Sequence, residues 1–204
     1  MLYSSLNNFK LMFNHSKPDI IFSSTLLILM PIALISGPAI PDIFLSLIAF
    51  HFLLVSIKNK LWKYYQNPIV IGFLTFSIYG ILRSIFSDMP IDSLTNEGSI
   101  FYFRYIFFAM GVWYLLNNNP YLNKCFLVTL SFCLILVSLD GIAQYLIGVD
   151  FFGNKQITIY RISGLFGDEP ILGRYVVYLM MLLFAIFYQN STKTKKNIII
   201  SLFF

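Results

Sequence analysis

Residues 125–147 read CFLVTLSFCLILVSLDGIAQYLI. A helix needs about 20 apolar residues to cross the hydrocarbon core of a bilayer, and this run meets that length with one formal charge, Asp140. Comparable runs lie on both sides of it, at about 20–37 (IIFSSTLLILMPIALISG), 42–57 (DIFLSLIAFHFLLVSI), 68–87, 98–116 and 171–188. Polar, Pro- or Lys-containing punctuation separates them, and only one connection, 148–170, is long. The whole 204-residue chain is 58% hydrophobic and 11% charged, with mean hydropathy +0.76, outside the range of ordinary soluble domains.

The expected fold class is therefore all-α: a multispanning transmembrane helix bundle in which residues 1–204 form part of one polytopic domain. Six complete spans are expected. The closing KKNIIISLFF is too short to span, so a seventh helix is expected to be cut short, and the chain to be the N-terminal part of a longer protein. The first span follows Lys10 and Lys17 as a secretory signal would, but no A-x-A-like site comes after it and GPAIPD leads directly into another span. A retained first helix is expected. Cys125 and Cys133 sit eight residues apart on one helix, about 12 Å at 1.5 Å per residue, which is beyond disulfide reach.

Charge sets the orientation. With the N-terminus in the cytoplasm, Lys10, Lys17, Lys58, Lys60, Lys63, Lys124, Lys193, Lys195 and Lys196 are all cytoplasmic, and only Lys155 and Arg161 lie in opposite loops. Nine against two is the bias of the positive-inside rule. Asp42, Asp88, Asp92, Glu97, Asp150, Asp168 and Glu169 fall on the outer side. The net charge of +5 is thus topological, and nucleic acid is not an expected partner.

Four charges remain that this rule does not explain, and they fall inside the expected spans: Arg83, Arg104, Asp140 and Arg174. Such charges are costly in a bilayer and mark functional positions by default. All four belong to the outer half of the membrane. With Arg161 in the outer loop, every arginine of the chain sits at that level, whereas every cytoplasmic loop uses lysine. The planar guanidinium fork holds phosphate oxygens bidentately and stays charged when partly desolvated, so the partition points to a phosphate or pyrophosphate site made by Arg83, Arg104, Arg161 and Arg174. Two plainer readings stand beside it: Arg83 and Arg174 snorkel to the headgroups, and Arg104 pairs with Asp140 as a structural lock.

His15 and His51 lie far from the arginine level. No His/Cys/Asp/Glu cluster has metal-ligand spacing, no P-loop is present, and no Ser-His-Asp set can be assembled. No metal or cofactor is expected, and the segment shows no complete catalytic apparatus. In the outer loop, Ile157, Ile159 and Arg161 alternate with Gln156, Thr158 and Tyr160 as in a short extended segment. SGLFGDEP then makes a turn, in which Asp168 can cap the next helix and Pro170 suits its start. Gly164 and Gly167 permit backbone geometries that other residues avoid; close approach to a ligand and simple turning are both open.

The run Arg161-Ile162-Ser163-Gly164-Leu165-Phe166-Gly167-Asp168-Glu169, followed by Ile171-Leu172-Gly173 at a helix entry, resembles the Arg-x-Ser/Thr-Gly-x-Phe element of the O-antigen ligase and O-antigen polymerase family. The preceding DGIAQYLIGVDFFG (140–153) is similar to that family's helix leading into the loop. The resemblance covers about 140–180. It implies a glycosyltransferase of the bacterial inner membrane, acting without a metal at the periplasmic face on undecaprenyl-pyrophosphate-linked oligosaccharide. The acceptor is lipid A core for a ligase and a second lipid-linked repeat for a polymerase. It further implies a large periplasmic loop with a further Arg and His beyond residue 204, so the chain is expected to be inactive alone and no general base is assigned. Arg161 and the turn from Ser163 to Asp168 carry over; Arg83, Arg104 and Arg174 rest on their depth, with Asp140 and Glu169 as support. The alternative is a polytopic transporter or flippase for an anionic lipid-linked substrate, and a third reading is a scaffold whose arginines only anchor helices.

Overall fold

The computed structural model describes residues 18–95, 99–155, 162–167 and 169–190. Among them every secondary-structure element is a helix, with one isolated bridge between Val149 and Lys155. The helices are α1 (Pro18–Ala33), α2 (Ala39–Asn59), α3 (Pro68–Ile85), a short α4 (Pro90–Thr95), α5 (Phe103–Asn118), α6 (Leu122–Ile147) and α7 (Leu172–Asn190). Four stretches are long and apolar enough to cross a membrane: Ala39–Asn59, Pro68–Ile85, Pro90–Asn118 and Leu122–Ile147. Two apolar helices are shorter, Ile20–Ser36 and Leu172–Tyr188. The segment expected to begin a seventh helix lies outside the described residues.

Local chemistry places the helix ends. Asn67 caps α3 by accepting the Ile69 amide at 2.9 Å, with Pro68 in the first turn, where its missing N–H costs nothing. At the end of α2, Lys60 adopts φ +51° and the Leu61 amide returns to the Ser56 carbonyl at 3.0 Å, closing the helix. α6 stops at Gly148, whose left-handed φ of +87° lets its amide reach the Gln144 carbonyl. The span expected at 98–116 opens with a 3-10 turn at Ser99–Phe101, its α-helix α5 begins only at Phe103, and a separate short helix, α4, precedes it from Pro90.

The chain resolves into two compact units. One contains α2 to α5 and the start of α1, and its core is Phe52, Tyr64, Val70, Ile106 and Met110. Gly111 lets α5 approach α2: a Cβ there would stand 3.1 Å from Ile48 Cγ2, 3.2 Å from Phe52 Cβ and 3.3 Å from the Ile48 carbonyl oxygen. Small residues serve the same purpose wherever membrane helices cross closely. The other unit contains the end of α1 with α6 and α7, packed around Leu130, Leu134, Val137, Tyr175 and Ile186. In it the Tyr175 hydroxyl donates to the carbonyl of Pro31, the mid-helix proline of α1, at 2.9 Å. Much of the remaining surface is apolar, with Ile69, Phe86 and Leu146 each more than 70% exposed, as suits helices surrounded by lipid rather than water.

Candidate functional site

Asp140 and Gln144 lie four residues apart on α6, hence one above the other on one helix face, and both are fully buried. Each holds a different part of the loop between α6 and α7 by its backbone. Asp140 Oδ1 accepts the Phe151 amide at 2.8 Å. Gln144 Oε1 accepts two successive amides, Ser163 at 3.0 Å and Gly164 at 2.8 Å. Its Nε2 faces the Ser163 hydroxyl at 3.4 Å and the Asn154 carbonyl at 3.5 Å. A single helical turn thereby fixes the residues on either side of 156–161.

The near side of the loop is tied to itself. Asp150 Oδ1 accepts the Phe152 and Asn154 amides at 2.9 and 2.7 Å, Oδ2 accepts Asn154 Nδ2 at 2.8 Å, and the Asp150 amide donates to the Asn154 carbonyl. Short acidic side chains favour such turns because they supply the acceptors that the bent backbone lacks.

On the far side, glycine at 164 is required. Its φ is +55°, and a Cβ would fall 2.6 Å from Leu172 Cδ1 and 2.9 Å from Asp140 Oδ2. The close approach is to the protein itself: the SGLF turn is pressed onto α6 and under the first residue of α7. Phe166 completes the seat against Tyr175, with ring centroids 5.2 Å apart.

The sequence-derived site residues are placed as follows. Ser163 is fully buried and its hydroxyl faces Gln144. Glu169 is exposed, and its backbone continues the turn, its amide donating to the Phe166 carbonyl and its carbonyl accepting from Ile171. Arg174 is exposed in the first turns of α7, and Arg83 is exposed in the last turn of α3, where a cation complements the helix dipole. Arg161 and Asp168, with the extended segment expected at 156–161, lie outside the described residues.

Arg104 does not take Asp140 as its partner. Its Nη1 donates to Asp42 Oδ2 at 2.7 Å, and Asp42 belongs to the first turn of α2 rather than to a loop. The side chains of Arg104 and Asp42 are 28% and 47% exposed. The guanidinium also lies 5.2 Å from the Tyr105 ring centre, within cation-π range. Asp42 engages only one of its nitrogens, and beside it α2, α5 and the 3-10 turn before α5 form an apolar groove of about 280 Å³ walled by Phe50, Leu53, Phe101 and Phe107.

Two contact positions were not singled out from sequence: Gln144, a neutral amide inside an apolar helix one turn from Asp140, and Asp42 as an ion-pair partner. No group of three or more potential metal ligands occurs among the described residues. Comparison of the chain with family models, curated proteins and solved structures gave no match.

Proposed function

We propose that the chain is the lipid-pyrophosphate-gripping part of an O-antigen ligase or polymerase, a glycosyltransferase of surface-polysaccharide assembly in the bacterial inner membrane. In this reading it crosses the membrane six times from a cytoplasmic N-terminus and works at the periplasmic face. Its donor is an undecaprenyl-pyrophosphate-linked oligosaccharide, and its acceptor is lipid A core or a second lipid-linked repeat. The leaving group is a lipid pyrophosphate, whose developing charge prepositioned guanidinium groups stabilise in a partly dry setting. Arg161, Arg174, Arg104 and Arg83 supply those groups.

The observation that carries the reading is the seat of the Ser163–Gly164 backbone on Gln144, with Asp140 beside it. Those residues belong to the two stretches that resemble the family, and their hydrogen bonds give the turn between Arg161 and Arg174 a fixed base. Prepositioned charge is the property such a site needs.

The test is Arg161→Ala and Arg174→Ala introduced at the chromosomal locus. Loss of the long glycan ladder on a lipopolysaccharide gel, at unchanged protein level, is expected of each. A normal ladder in both contradicts the site.

A further inference from the structure

At the end of the first unit formed by the start of α1 and the end of α2, the two helices part to leave a cleft of about 450 Å³ lined by Pro18, Phe22, His51, Leu54, Val55 and Lys58. We infer that this cleft binds one anionic phospholipid, its phosphate on Lys58 and its acyl chain against Phe22 and Leu54. This site is separate from the arginines of the proposed function and does not depend on that reading.

The cleft is graded in polarity along one helix face. His51, Leu54, Val55 and Lys58 follow the three- and four-residue spacing that aligns side chains on a helix, and His51 lies two turns, about 10 Å, inward of Lys58. The imidazole is held in place by a 2.7 Å hydrogen bond between Nδ1 and Ser23 Oγ, and Ser23 is fully buried. Lys58 is exposed in the last turn of α2, and Lys60 and Lys63 follow it, also exposed. Phe22 and Leu54 are each more than half exposed, and the neighbouring α2 surface continues with Phe50 and Ile57.

A cation at the mouth with apolar walls inward of it matches the order of phosphate and acyl chain in a phospholipid. Basic pockets between membrane helices bind anionic headgroups for this reason. A soluble anion would use the cation and leave the apolar walls unfilled, and a protein partner would find the surrounding surface occupied by lipid. No acid occurs among the described lining residues; Asp19 stands beside Pro18 at the start of α1.

The experiment is native mass spectrometry of the whole purified chain in detergent, titrated with phosphatidylglycerol or phosphatidylcholine. One phosphatidylglycerol retained per chain, in preference to phosphatidylcholine, is expected. Lys58→Gln should lower that retention at least about fivefold, the scale of one lysine at an anionic surface. The double variant Lys60→Gln with Lys63→Gln should leave it unchanged, and Val55→Trp, which fills the cleft, should abolish it while helix content by circular dichroism stays the same. Equal retention of the two lipids would overturn the inference because headgroup charge would then not be read, and no effect of Lys58→Gln or an equal effect of the Lys60 and Lys63 pair would overturn it in favour of diffuse attraction.

Discussion

The side-chain oxygen of Gln144 accepts the Gly164 amide at 2.8 Å, and the Ser163 amide at 3.0 Å from the same atom. One neutral side chain on α6 thus carries two backbone donors of a loop segment about twenty residues away in sequence. A buried amide that loses its acceptor costs about 1–3 kcal/mol.

Gln144→Met keeps the volume and removes the one oxygen that accepts both amides. It should lower the unfolding free energy by roughly 2 kcal/mol or more, read as a fall in the thermal midpoint of the purified protein. Gln144→Glu keeps the acceptor oxygens and should lie between wild type and Gln144→Met. Equal midpoints for wild type and Gln144→Met contradict the seat.

Gly164→Ala meets two obstacles, the left-handed φ and the overlaps with Leu172 Cδ1 and Asp140 Oδ2. The backbone penalty alone is about 1–2 kcal/mol. Combining it with Leu172→Ala should relieve only part of the loss, because the Asp140 overlap remains. Gly80→Ala, in a helix with open space around it, should be neutral or stabilising by up to about 1 kcal/mol. A Gly164→Ala protein as stable as Gly80→Ala would contradict the geometry.

Gly111→Ala places a methyl against the Ile48 carbonyl, which cannot rotate away as a side chain can. A loss of about 1–3 kcal/mol is expected from overpacking of this crossing, and Gly111→Leu should prevent folding of the unit. Thermal unfolding followed by circular dichroism measures both. Unchanged unfolding of Gly111→Leu would contradict the close approach.

The Arg104–Asp42 pair is partly exposed on both sides, and pairs of that kind contribute about 0–1 kcal/mol. Asp42→Asn and Arg104→Lys should therefore each leave the thermal midpoint within a few degrees. The phosphate-gripping reading adds that Arg104→Lys shortens the glycan ladder, since an ammonium lacks the bidentate fork. A normal ladder would leave Arg104 an anchor of α2 against α5.

The helical frame was readable because apolar runs of bilayer length carry their own signal. The expected span at 68–87 became Pro68–Ile85 and that at 125–147 became Leu122–Ile147. The stretch before α5 was less readable: Pro90 can start a helix as well as end one, and α4 with its 3-10 turn is too short for periodicity to reveal. Within the site, Asp140 stood out because a charge in an apolar helix is rare. Gln144 carries no charge, and its partners come from a loop whose approach no spacing rule predicts. Asp42 and Arg104 are 62 residues apart, and the sequence offered Asp140 as the partner of Arg104, so only their placement on α2 and α5 joins them.

The central claim is that guanidinium groups flanking the seated turn grip a lipid pyrophosphate, and Arg161→Lys tests it most directly. The measurement is the glycan ladder together with the pool of undecaprenyl-pyrophosphate-linked oligosaccharide in cells carrying that variant at wild-type protein level. The account predicts a lost ladder and an enlarged lipid-linked pool, because charge is kept while bidentate contact is lost. A normal ladder with an unchanged pool would contradict it.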